Sequence, residues 1–191
     1  MHSRTLILLL LFVCSVARAG SDEAERVASF LATLAPVPDG AIPFLERRMS
    51  SLLTEPIEVR GELRIGKDGV IDKRVTSPVE ERVQITARTL TLERKGTSRT
   101  VNLAGDPRWQ AFHAGITGLM NRDPAALDRA FTVRLEEGPQ GWILELRPKG
   151  PRRKNMVELI SASGRGPNLL GLRLDQGGGE WQEMSFLLAG S

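Results

Sequence analysis

The sequence predicts a mainly β domain in which an antiparallel sheet is partly covered by a few helices. Three observations predict it. Short segments alternate apolar and polar residues and are parted by Gly- and Pro-rich turns, as strands with one buried and one wet face do. Three other segments space their apolar residues by three and four, as helices with a single apolar stripe do. Over most of the chain strand follows strand, so there is no βαβ rhythm and the pattern is an antiparallel meander.

The N-terminus fixes the compartment. Arg4 precedes the apolar run Leu6-Ile7-Leu8-Leu9-Leu10-Leu11-Phe12-Val13, and Ala17-Arg18-Ala19 follows as a small-x-small cleavage pattern. Residues 1–19 therefore read as a secretory signal peptide that is cleaved, leaving residues 20–191 as one domain in the periplasm. The apolar run is too short to cross a bilayer, which takes ~20 residues. Cys14 directly follows it, within the predicted leader, and Val13 is too large for a lipoprotein cleavage box. Clipping removes this cysteine, and with it any disulfide or thiol nucleophile. Arg4 and Arg18 leave too, so 26 Lys and Arg become 24 against 23 Asp and Glu. Such a balanced charge gives no nucleic-acid field. There is no Tyr and aromatics are scarce, which disfavours recognition of sugars or bases by stacking.

Residues 21–34 read as a helix with Ser21 as its cap and Val27, Phe30, Leu31 and Leu34 as its stripe. Pro36-Val37-Pro38-Asp39-Gly40 stops it. Residues 42–53 form an ambiguous first strand. Residues 57–65 are a clear one, with Val59, Leu63 and Ile65 alternating with Glu58, Arg60, Glu62 and Arg64. Gly66-Lys67-Asp68-Gly69 turns the chain into a strand at 70–76. Strands at 82–87, 89–94 and 100–103 follow, with Val83, Ile85, Leu90 and Leu92 inward. Asp106-Pro107 and Asp123-Pro124 each place a capping acid before a proline that opens a helix. Trp109, Phe112, Ile116, Leu119 and Met120 line the first of these helices, and Leu127, Ala130 and Phe131 the second. Strands at 131–135, 142–147, 156–163, 169–174 and 181–188 complete the chain, with Leu144, Leu170, Leu172, Met184 and Leu188 among the inward residues.

The residues of catalysis are missing. His2 falls in the signal peptide, and His113 stands alone beside Phe112, so it reads as a partly buried helical residue. A metal or acid–base site needs several convergent groups. Glu80-Glu81 and Glu136-Glu137 are neighbours whose side chains diverge on a strand, and Gln176-Gly177-Gly178-Gly179-Glu180 is a turn without the Lys of a phosphate cradle. Arg152-Arg153-Lys154 reads as a solvated loop. No metal and no cofactor is expected. The inward strand residues outnumber the apolar helix residues. Either the helices fill the concave face as ordinary core, or they leave a hollow in which an acyl chain gains ~0.8 kcal/mol per buried CH₂. The count alone leaves both open.

The order of elements carries a resemblance. Gly61-Glu62-Leu63-Arg64-Ile65, a Lys-Asp-Gly turn, a strand ending at Ser77-Pro78, then Ile116-Thr117-Gly118-Leu119-Met120-Asn121-Arg122-Asp123 and Trp142-Ile143-Leu144-Glu145-Leu146-Arg147-Pro148 follow an exported N-terminal helix. Together they resemble the LolA-like outer-membrane lipoprotein carriers. The resemblance implies an unclosed antiparallel β-barrel, a half-barrel, with helices as a lid over a hydrophobic cavity. It implies a monomeric, non-enzymatic periplasmic carrier that takes acyl chains of lipoproteins or lipids from an inner-membrane transporter or lipid exporter to an outer-membrane receptor lipoprotein. The cavity residues it implies here are Val59, Leu63, Ile65, Val83, Ile85, Leu90, Leu92, Trp109, Phe112, Ile116, Leu144 and Leu172. Lys67 stands where the family has a basic lid contact, usually Arg, and Lys lacks the planar five-donor fork. Asp68 replaces a frequent Pro, and Val70-Ile71-Asp72 replaces the family's aromatic residues. These departures point to a divergent branch and leave the cargo open. A lipid-sensing regulatory domain of the same architecture is the alternative.

Overall fold

The computed structural model describes residues 15–38, 40–66, 68–150 and 157–187. Lys67, Arg152-Arg153-Lys154, Met156, Leu188 and the predicted leader up to residue 14 lie outside the described residues. The elements are α1 (Ser15–Thr33), β1 (Ile42–Met49), β2 (Ile57–Ile65), β3 (Ile71–Ser77), β4 (Glu81–Ile85), β5 (Thr89–Arg94), β6 (Thr97–Asn102), α2 (Pro107–Met120), α3 (Pro124–Ala130), β7 (Phe131–Gly138), β8 (Gly141–Pro148), β9 (Leu159–Arg165), β10 (Asn168–Gly177) and β11 (Glu180–Phe186).

All eleven strands form one sheet in the order β6-β5-β4-β3-β2-β1-β11-β10-β9-β8-β7. Every pairing is antiparallel. Two meanders, β1 to β6 and β7 to β11, are stitched where β1 meets β11, with Phe44 opposite Phe186 and Glu46 opposite Met184. The edge strands β6 and β7 do not pair with each other, so the sheet is not closed. This is the mainly β half-barrel with helices that the sequence predicts.

Alternation builds the inner face. Ile42 and Phe44 of β1, Val59 and Leu63 of β2, Leu144 and Leu146 of β8, and Ile160 and Ala162 of β9 are all buried, with Ile42 opposite Leu63, Leu144 opposite Ala162 and Leu146 opposite Ile160. One register differs from simple alternation. A bulge between Leu169 and Gly171 shifts β10, so Leu169, not the predicted Leu170, packs half-buried against the core.

The helices close over this face. α1 extends back to Ser15, so Ser21 lies inside the helix rather than capping it. The predicted stripe holds: Val27, Phe30, Leu31 and Leu34 are buried, and the Phe30 ring meets the edge of Trp142 at 5.0 Å. Both predicted aspartate caps form. Asp106 accepts from Arg108 N at 2.9 Å, and Asp123 from Ala126 N at 2.9 Å. α2 lies close to the sheet because Gly115 has no side chain. A Cβ there would stand 2.5 Å from the fully buried Phe131 ring. Gly115→Ala is expected to destabilise the protein by ~1–3 kcal/mol, the range for overpacking a filled core. A thermal melt by circular dichroism checks this, and an unchanged Tm would show that α2 rides free of the sheet.

Candidate functional site

α2 crosses the concave face and is tied to strand ends by two side chains. Trp109 Nε1 donates to Thr86 O at 3.0 Å, at the turn between β4 and β5. His113 Nε2 donates to Gly69 O at 2.8 Å, at the hairpin between β2 and β3. Gly69 holds φ +78°, and that hairpin geometry presents its carbonyl to the helix. His113 is therefore a tether between helix and sheet. At the start of α2 the Arg108 guanidinium, bonded to Asp106, holds its carboxyl down at about 2.

Between α2 and the sheet lies a cavity of about 470 Å³. That falls in the ~300–1,000 Å³ range of small-molecule sites. Of the residues predicted to line it, Leu63, Ile65, Val83, Ile85, Leu90, Trp109, Phe112, Ile116 and Leu172 do so. The structure does not bring the other three to the cavity. Val59 and Leu144 are packed into the core at 3% and 0% exposure, and Leu92 stands nearer the β5–β6 hairpin, across from Arg99. The helices fill one part of the concave face and leave the other part hollow.

Sequence reasoning missed two groups of lining residues. Ile71, Ile160 and Met184 add apolar wall. The second group is charged: Glu46, Arg48, Lys73 and Glu81 face inward. Glu46 is 1% exposed, and both its oxygens are engaged, by Lys73 Nζ at 2.6 Å and by Arg48 Nε at 2.9 Å. Arg48 also lies 3.6 Å from Glu81. Burial lowers the pKa of the Lys73 ammonium below its ordinary value, and the Glu46 charge offsets part of that. The signal was parity. Glu46 and Arg48 share a face with Ile42 and Phe44, and Lys73 shares one with Ile71 and Val75.

An unclosed antiparallel sheet with a tethered helix over a mainly apolar cavity defines a binding protein of the half-barrel class. The model of the family described as outer membrane lipoprotein carrier protein LolA-like matches residues 18–191, and the chain belongs to that family. It is a family of binding and carrier proteins that act outside the cytoplasm. Among solved structures, the chain is similar to the LolA superfamily protein NE2245 from Nitrosomonas europaea, at 11% identity over 86% of this chain and 91% of that one, with a TM-score of 0.42. It is also similar to LprF from Mycobacterium bovis, at 10% identity over 89% and 92% and a TM-score of 0.31. A third likeness is to the Pseudomonas aeruginosa MucA/MucB complex, at 12% identity over 88% of this chain and 55% of that chain, with a TM-score of 0.38. The comparison with curated proteins gave no match.

Proposed function

We propose that this protein is an acyl-chain carrier. Exported and clipped after Ala19, residues 20–191 act as a monomer in the periplasm. The protein takes acyl chains of lipoproteins or lipids from an inner-membrane transporter or lipid exporter and delivers them to an outer-membrane receptor lipoprotein, without catalysing a reaction. The observation that supports this best is the cavity of about 470 Å³ between α2 and the aliphatic inner face of the sheet. Water is unfavourable against such walls, and an acyl chain asks for no directional partner there. The tethers at Thr86 and Gly69 are two hydrogen bonds, each worth ~0.5–1.5 kcal/mol net, so the N-terminal half of α2 can swing off the cavity while Leu119 and Met120 stay packed. Lys67, two residues before Gly69 in the sequence, belongs to this proposal as a lid contact.

The test is to express the full chain in its bacterial host, recover it from the periplasm and identify bound acyl compounds by mass spectrometry. Near-stoichiometric acylated cargo is expected, and the loaded protein should pass it to outer-membrane vesicles. A folded protein that carries none, and takes none up from lipid vesicles, would overturn the proposal. Cargo that is held but never passed on would instead favour a lipid-sensing regulator.

A further inference from the structure

Four charged residues of the cavity, Glu46, Arg48, Lys73 and Glu81, cluster on the sheet; Asp106 and Arg108, bonded to each other at the start of α2, also line the cavity. α2 is tethered where β2 turns into β3 and β4 into β5. Arg48 closes β1 and Glu81 opens β4, both at the other end of the strands. Gln182, across from Arg48, also lines the cavity there. Lys73 interrupts an otherwise apolar row, between Leu63 on β2 and Val83 on β4. The inner face of the sheet thus offers an apolar wall with a charged cluster beside it.

The cluster has a surplus of donors. Lysine carries three N–H donors and arginine five. The hydrogen bonds among the described residues use one from Lys73 and one from Arg48, both on Glu46, whose two oxygens are then occupied. The remaining donors belong to side chains that line the cavity, at 12% and 25% exposure. Glu81 stands 3.6 Å from Arg48, beyond hydrogen-bond distance, so an anionic acceptor that reaches the remaining donors directly would add charge-assisted bonds, which are the strong ones.

We infer that the cavity has a polar subsite, formed by Lys73 and Arg48 beside Glu46, that takes the acidic head group of an amphiphile whose chain lies along the apolar wall toward α2. The ligand class is a single-headed anionic lipid, with a carboxylate or a phosphate as its acid. Glu46 acts as the internal stand-in for that acid, occupying the two cations when no cargo is bound. This inference rests on the acyl-chain reading and deepens it.

The test compares sodium dodecanoate, dodecanol and sodium acetate by displacement of a fluorescent fatty-acid probe, first with the unaltered protein. Dodecanoate is expected to bind about tenfold or more tighter than dodecanol, in line with a charge-assisted hydrogen bond. Acetate should not compete. Glu46→Gln should strengthen dodecanoate and leave dodecanol unchanged, because the competitor for Lys73 has lost its charge. Glu46→Gln combined with Lys73→Met removes the pair together and should abolish the preference for the acid while dodecanol still binds. Equal binding of acid and alcohol by the unaltered protein would overturn the polar subsite and leave the acyl-chain reading standing. An acid preference indifferent to both variants would do the same. Acetate binding as tightly as dodecanoate would show a plain anion site and overturn the amphiphile. Failure of both chain-bearing probes would overturn this inference and the carrier reading together.

Discussion

Replacing Ile85 by Glu is expected to abolish acyl-chain binding while leaving the sheet folded. Ile85 lines the cavity half-buried, between Ile71 on β3 and Leu90 on β5, which line it too. A carboxylate in the empty hollow can keep water around it, so the strand can stay in register. An entering chain would have to strip that water, and stripping a charge without a partner is prohibitive. Denying about five methylenes their contact forfeits ~4 kcal/mol, a loss of roughly a thousandfold in affinity. The readouts are acyl retention by mass spectrometry and the far-ultraviolet circular dichroism of the same sample. Ile85→Leu, which keeps the wall apolar, should retain cargo. Equal retention by both variants would place the chain elsewhere.

Leu144→Ala should do the reverse. Leu144 is fully buried, flanked by Leu135 on β7 and Ala162 on β9, and is not among the lining residues. Truncating it leaves a void and costs about 2–5 kcal/mol. For a domain of this size that lowers Tm by roughly ten degrees. The protein that remains folded should bind acyl chains with unchanged affinity, as checked by a thermal melt beside a binding titration below the transition. A loss of affinity without a loss of stability would move Leu144 from the core to the cavity wall.

Why Ile85 was readable as a lining residue and the charged cluster was not comes down to what alternation encodes. A strand such as β2, with Val59, Leu63 and Ile65 set against charged neighbours, announces its inner face. β1 blurred that signal because Glu46 and Arg48 sit on the inner face that Ile42 and Phe44 begin, so its polar residues looked like solvent residues. Lys73 was hidden in the same way. Parity could have flagged all three. Only the folded sheet, in which Lys73 of β3 reaches diagonally over β2 to Glu46 of β1, shows that they neutralise one another. The helices were legible through their stripes and aspartate caps. The division of the concave face was not. Val59 and Leu144 share the inner-face parity of Leu63 and Leu172, and which of them meets a helix or another strand depends on where α1 and α2 come to rest. The bulge that exchanged Leu170 for Leu169 likewise left no mark in the local pattern.

The seam between β1 and β11 has a consequence for the order in which the protein acquires its interior. The strand that completes the floor beside Glu46 and Arg48 is β11, far from β1 in the sequence, contributing Met184 and Gln182. A nascent or translocating chain that has not yet delivered residues 180–186 has one meander on each side of a gap and no vessel between them. β1 and β11 are therefore the two sides of a clasp, and the vessel has a continuous floor only once the clasp is shut.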